Sequence, residues 1–446
     1  MLTTLYWFTQ DLRLDDNPAL TRAAQSDALL CVFCINRRWF NPHRYHISSM
    51  GTHRWHFLQQ SLASLSAALT RLNQHLYIEY GYPEQQLIGL IARHKIKRLV
   101  CSRQFGSDER KVLKFLAERF PELEIEEIDS TTLFDQQQLP MTPAELLKGF
   151  TPFRQQAEQL SVPAPAQAPM SLPRPVLRAV PVQTFPEWIP GSYRRPDASQ
   201  TKLSIAAIGG GETAGKQHLH DYFSGQLPSR YKDVRNALDG WQNSSKLSPW
   251  LNHGCLSLRR VTQTLHQYEK THGQNESTKW LFFELLWREY FQWLALAQGD
   301  SLYALKGLAD KPQHACLHPE RYQRWCHGNT PWPLINACMR QLKETGYLSN
   351  RGRQIAASCF INELEMDWRY GAAWFEHQLI DYDVAVNWGN WQYIAGVGVD
   401  PRGGRHFDID KQTARYDPQG AYIARWAPDA PALALDSVDA ADWPIG

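Results

Sequence analysis

The sequence predicts a doubly wound α/β unit with a parallel sheet, followed by an all-α unit, the two joined by a long proline-rich linker. Three observations predict it. Over residues 1–130, short β-branched and apolar runs alternate with helical stretches, the order of a parallel sheet with crossover helices. Over residues 131–200, "VPAPAQAPMSLPRPVLRAVPV" crowds prolines at a density that forbids regular helix or sheet. Over residues 201–446, nearly every segment carries apolar residues at i, i+3, i+4 and i+7.

In chain order, "TLYWF", "ALLCVFCI", "HLYIEY", "RLVCS" and "LEIEEI" read as strands, and residues 52–71, 84–94 and 108–119 as helices. The first strand runs into "TQDLRLDDNPAL" and not into a glycine fingerprint, which disfavours a dinucleotide site at that turn. After the linker, "GGGETAGKQHL" has Gln217 where a phosphate loop needs Ser or Thr, so it reads as a glycine turn opening a helix. "WLFFELLWREYFQWLAL", "PLINACMRQLKETG", "GRQIAASCFINEL" and "GAAWFEHQLI" are helices.

With 446 residues, 43% hydrophobic and 21% charged, the chain has the composition of a soluble globular protein with material for two cores. A net charge of +2 gives no bulk attraction for nucleic acid, so any such contact needs a local patch. Seventeen Trp and 12% aromatic residues point either to an aromatic-rich core or to ring surfaces packed against a flat ligand. Cys31 and Cys34 fall on opposite faces of a strand, so they are expected as buried thiols and no metal site is expected. No span approaches the roughly 20 apolar residues of a membrane helix, no signal segment is seen, and a reducing cytoplasm is the expected compartment.

Four stretches could carry chemistry. In "NSSKLSPWL", Ser248 before Pro249 reads as a helix cap, with Ser244, Ser245 and Lys246 adding hydroxyls and a cation; this suits a diphosphate, or is a plain capped helix. Along the apolar helix, Glu284, Trp287, Arg288 and Phe291 share a side. Glu284 and Arg288 either satisfy each other at i, i+4, or the acid and indole hold a flat base by edge and face. Asn350, Arg351 and Arg353 precede a helix, at its dipole-positive end, where cations need an anionic partner. In "DYDVAVNWGNWQY", Asp383, Asn387 and Trp391 lie four apart, so a helix aligns carboxylate, amide and indole; alternatively Asp381 and Asp383 cap a helix and the rings fill the core.

Together with "WFTQDLRLDDNPAL", "SRYKDVRNALDGW", "SNRGRQ", "DWRYGAAWFE" and "NWGNWQYIAGVGVDPRGGRHF", these stretches resemble the photolyase and cryptochrome superfamily over nearly the whole chain, most closely its cryptochrome-DASH branch. The resemblance implies an FAD-binding helical domain. Tyr231 and Ser244, Ser245, Lys246, Leu247, Ser248 would contact the phosphates and ribose. Arg353 would pair with Asp381 beside the isoalloxazine, next to Tyr382; Asp383 would bond the flavin or ribose edge, and Asn387 would face N5. An amide there, lacking a carboxylate's charge, suits an anionic reduced flavin. Trp391 and then Trp368 would relay electrons; the third tryptophan of the family's chain falls near Ala315 and is missing, leaving Trp325, Trp374 or another exit.

For substrate, the resemblance implies that Glu284, Trp287 and Asn350 grip a flipped cyclobutane pyrimidine dimer, and that Arg288, Arg351, Arg402 and Arg405 meet backbone phosphates. Tyr393 stands where relatives acting on duplexes carry a second clamping tryptophan; a smaller clamp offsets less of the unstacking cost, so single-stranded DNA is the expected substrate, with RNA as a further nucleic-acid partner. Asp108 and Glu109 would hold a methenyltetrahydrofolate antenna. A monomeric, light-driven deoxyribodipyrimidine photolyase is the expectation. The alternative is a photoreceptor signalling through flavin redox state without repair, disfavoured by Glu284, Trp287 and Asn350.

Overall fold

The computed structural model describes residues 1–139, 141–177, 186–193, 208–309, 316–400 and 403–429. Five parallel strands fall on the five apolar runs: β1 (Thr3–Phe8), β2 (Ala28–Asn36), β3 (Leu76–Gly81), β4 (Arg98–Ser102) and β5 (Glu124–Ile128), in the order β3-β2-β1-β4-β5. Register runs from Thr3 opposite Ala28 to Phe8 opposite Phe33, and Thr4 lies opposite Arg98. Strands β1 and β4 are buried throughout, as expected where helices cover both faces of a sheet.

Alternate side chains feed two cores. Leu5, Trp7, Val32, Cys34 and Leu99 pack against α3 (Pro83–His94) and α4 (Ser107–Arg119). Tyr6, Phe8, Cys31 and Phe33 pack with α1 (Pro18–Ala23) and α2 (Thr52–Thr70), in a core continuous with the helical half. The two cysteines thus sit on opposite faces, both buried and free. At the switch point beyond β1, protein fills the crevice. Asp11 accepts bonds from the Ser102 hydroxyl (2.6 Å), the Thr9 amide (2.8 Å) and Tyr6.

The connector is more structured than its prolines suggest. It contains α5 (Pro143–Leu146), α6 (Phe150–Ala157) and a two-residue strand β6 (Arg174–Pro175). β6 pairs with Ala28 and Leu29, the start of β2, whereas the β3 pairing begins only at Cys31. Proline is tolerated because the bridging donor is the next residue, with Val176 N–H reaching Leu29 O at 3.1 Å. Arg13 ties the regions together, donating to the carbonyls of Asp15 (2.9 Å), Asp16 (2.7 Å), Ser130 and Gly254 (3.0 Å).

The remaining helices include α7 (Glu212–Phe223), α8 (Tyr231–Val234), α9 (Ser248–Asn252), α10 (Leu258–His272), α11 (Glu276–Gln298), α12 (Pro319–His327), α13 (Pro333–Thr345), α14 (Asn350–Asn362), α15 (Trp368–Gln378), α16 (Val384–Ala395), α17 (Ile409–Tyr416) and α18 (Ala421–Trp426). α7 opens at a glycine turn, Gly211 having φ +104°, as the "GGGETAG" reading predicts. The long α11 starts at a capping box between Asn275 and Thr278 and ends at Gly299, φ +57°. Buried Glu289 on α11 anchors the connector, accepting from the Leu133 amide (2.7 Å), the Phe134 amide (3.3 Å) and the Trp293 indole (2.7 Å). Among the described residues no helix is long and apolar enough to cross a membrane, and no three His, Cys, Asp or Glu side chains cluster as metal ligands.

Candidate active site

The segment 243–252, with α8, α11, α14, α15 and α16, encloses a cavity. Its volume is about 280 Å³, at the lower edge of the roughly 300–1,000 Å³ of ordinary small-molecule sites.

One wall is polar. Tyr231, Ser244, Ser245, Lys246, Leu247 and Ser248 all line it. Lys246 adopts a left-handed φ of +53°, donates to Ser244 Oγ at 3.0 Å and lies 4.8 Å from the Tyr347 ring. Ser248 departs from the sequence reading. It is the first helical residue of α9, and its hydroxyl donates to Asp381 Oδ2 at 2.6 Å instead of capping the helix. Leu247 holds the cap position, so the Ser248 hydroxyl is free to make a charge-assisted bond to the buried carboxylate.

On the same wall Asp381 and Asp383, both buried, divide the labour. Asp381 accepts from Arg353 Nη2 through both oxygens (2.9 and 2.8 Å), and its carbonyl takes the Asn252 amide. Asp383 caps α16 through the Val386 amide (3.0 Å), accepts from Gln292 Nε2 (2.6 Å) and lies 3.5 Å from Arg288. Only one of the two acids caps a helix. Along α16 the four-residue spacing brings Asp383, Asn387 and Trp391 to the cavity wall together. Asn387 donates to Ala372 O at 3.0 Å, which leaves its Oδ1 and one N–H uncommitted. Tyr382 also lines the wall, beneath the Arg54 guanidinium at 4.5 Å.

The mouth corrects several expectations. Glu284 and Arg288 do not satisfy each other. Glu284 Oε1 accepts from both Arg235 and the Trp280 indole (2.9 Å), and burial pushes its carboxyl above the usual range. Arg288 is turned inward. Its side chain is 11% exposed and bonds Thr131 O (2.9 Å) and Asn252 Oδ1 (3.2 Å), because a guanidinium on the inner face of α11 must find internal acceptors. Arg405 is likewise committed inward, to Asp400 (2.9 Å) and the Tyr393 hydroxyl. Arg351 donates to Asn236 Oδ1 (3.1 Å) and lies over Phe407 and Tyr416, half-buried. Arg402 lies outside the described residues, as does Ala315.

Asn350, Arg351 and Arg353 do not precede α14 but open it, since Ser349 supplies the cap by accepting the Gly352 amide at 3.1 Å. Asn350 is exposed and lines the cavity. Trp287 is half-buried and not part of the cavity lining; it meets Tyr393 edge to face at 5.9 Å and 78°.

Trp391 packs on Gly371, where an added Cβ would come within 2.3 Å of the indole, one turn along α15 from Trp368. Its indole neighbour is Trp325 at 6.3 Å, while Trp368 neighbours Trp388 at 5.8 Å. Trp325 is fully buried and so is no surface terminus; Trp374 is half-buried. In the first turn of α4, Asp108 is exposed and paired with Lys111 (2.7 Å). Glu109 keeps exposed surface, yet desolvation by the surrounding protein pushes its carboxyl upward, with the charges of Asp108, Glu376 and Asp383 adding to it.

Sequence reasoning missed Arg235 and Trp280. Trp280 precedes Glu284 by four on one helix, a spacing that signals contact; Arg235 arrives from α8 across the fold and carries no such signal.

The donor set fits a flavin adenine dinucleotide. Hydroxyls, an ammonium, an ion pair, an amide and an indole share one cavity with apolar Phe375, Leu379 and Ile394, groups that suit a diphosphate and an aromatic ring system. Family comparison agrees. Residues 4–171 match the family described as DNA photolyase, and residues 280–443 the FAD binding domain of DNA photolyase. The chain is 47% identical to a cryptochrome DASH of Idiomarina loihiensis, covering 99% of this chain and 96% of that protein. It superposes on the Synechocystis cryptochrome crystal structure with TM-score 0.88 and 38% identity, over 96% of this chain and 89% of that one. A class III photolyase of Agrobacterium tumefaciens gives 0.80 at 26% identity, over 96% and 87%. Fold and cavity define a photolyase-type flavoprotein. The chain belongs to the photolyase and cryptochrome family, in its cryptochrome DASH branch.

Proposed function

We propose that the protein repairs cyclobutane pyrimidine dimers in single-stranded DNA under blue light. The observation that carries this is Glu284: two donors hold its Oε1, and its second oxygen is left for a ligand at the mouth of the cavity. An imide N–H of a flipped pyrimidine suits that oxygen, with Trp287 offering a ring face and exposed Asn350 a second polar contact. FAD, when bound and reduced, supplies on excitation the electron that opens the dimer and takes it back.

Around it the chain does the rest. Tyr231 and residues 244–248 hold the phosphates and ribose; Arg353 and Asp381 fix one wall; Asp383, steadied by Gln292, and Asn387 present hydrogen bonds to the ring edge; Trp391 and Trp368 stand as electron donors. Apolar Phe375, Leu379 and Ile394 exclude water. Arg351 and Arg402 meet phosphates. Tyr393, pinned by Arg405 and Asp400, is the smaller clamp behind the single-strand preference. Asp108 and Glu109 bracket an antenna site for methenyltetrahydrofolate.

The test is illumination of the reduced protein with dimer-containing oligonucleotides. Faster dimer loss in single strands than in duplex supports the reading. Equal rates overturn the strand preference, and no loss in either overturns repair.

A further inference from the structure

Trp287 has two faces, and one is already taken. The Phe150 ring, from the connector, lies parallel to it with centroids 3.7 Å apart and planes 12° apart. Phe150 is not a loose plug. It is buried, boxed by Phe283 (5.3 Å, 89°) and Tyr290 (5.7 Å, 68°), and opens α6 directly after Gly149, whose φ of +113° favours glycine. The Tyr290 hydroxyl donates to Leu146 O at 2.8 Å, which fastens the preceding turn to α11. Trp287, half-buried, also meets Phe291 at 5.5 Å, tilted 29°, and the Tyr393 edge at 5.9 Å and 78°.

We infer that Phe150 is a positioning residue for the lesion clamp: by occupying one face of Trp287 it fixes the indole plane, so that a flipped base stacks on the other face, toward Tyr393. The connector is then a jaw of the substrate site and more than a tether. This rests on the proposed reading of Trp287 as the stacking residue. Nearly superimposed rings are not the arrangement aromatic pairs choose unaided, so the box around Phe150 is what enforces it. Without the ring, Trp287 regains rotamer freedom that binding must remove.

The test uses the FAD-loaded protein and measures dark binding of a dimer-containing single strand by anisotropy, with repair rates at saturating substrate. Phe150→Leu, which keeps apolar volume but no flat ring, is expected to weaken binding about tenfold while the saturated repair rate stays level; Phe150→Tyr restores binding. Trp287→Ala is expected to weaken binding, and adding Phe150→Leu to it to weaken it no further, because the two act as one unit. Wild-type binding by Phe150→Leu beside weak binding by Trp287→Ala would overturn the inference alone, as would additive losses in the double variant. Unchanged binding in Trp287→Ala would overturn the site reading and the inference with it.

Discussion

Replacing Asp381 by alanine probes the wall on which the cavity depends. Asp381 is 3% exposed at its side chain, takes both bonds from Arg353 and receives the Ser248 hydroxyl. Its removal leaves Arg353, 24% exposed, with Leu348 O at 2.9 Å and the Tyr347 ring at 5.6 Å. Breaking a buried pair from one side costs about 3–5 kcal/mol, and partial exposure of Arg353 places this site at about 3. With a urea slope of about 3 kcal/mol/M the midpoint falls by about 1 M. Ser248 and Arg353 both line the cavity, so the flavin-to-protein absorbance ratio should fall as well. Asp381→Asn keeps the shape and an acceptor and should lose about 1–3 kcal/mol. Adding Arg353→Gln removes the stranded charge and should recover part of the loss. A midpoint in Asp381→Ala within 0.2 M or so of wild type, with undiminished flavin, would refute the reasoning.

Three further outcomes follow from the same geometry. Trp280→Phe removes a donor to the Glu284 carboxylate, which favours the protonated form, so the acid limb of dark lesion binding should move to higher pH in a titration of oligonucleotide affinity. Tyr393→Trp enlarges the clamp and should raise duplex repair relative to single-strand repair in paired assays; Arg405→Met should loosen the tyrosine and weaken binding to both. Burial lifts Glu289 to about 7, so the folded state binds its proton more tightly than the unfolded chain. Wild-type stability from this group is therefore greatest below about 4.5 and falls by about 3 kcal/mol as pH rises past 7; Glu289→Gln should flatten that component in denaturation midpoints taken between pH 5 and 8.

Local pattern reached much of this from the sequence. The sheet was legible because strands buried on both faces are unbroken apolar runs, and the α16 stripe because Asp383, Asn387 and Trp391 repeat at helical spacing. What escaped was pairing between distant segments. Nothing in the neighbourhood of Ser248 says that Asp381 will claim its hydroxyl, and nothing near Arg288 says that Thr131 and Asn252 will receive it. A buried charge announces that partners exist without naming them. The proline-rich run was over-read for the same reason, since proline denies its own N–H to a ladder but not its neighbour's, and Val176 makes the bond. The stretch before it, with Gly149 and Phe150, carried no chemistry-bearing residue to draw notice.

The most direct measurement is the excited-state lifetime of the reduced flavin in the protein, recorded with undamaged and with dimer-containing single strands. A lesion gripped by Glu284 and Trp287 at the cavity mouth should shorten that lifetime, and the Glu284→Ala variant should lose the effect at the same oligonucleotide concentration. Equal lifetimes with damaged and undamaged strands, at concentrations where both are bound, would contradict the account.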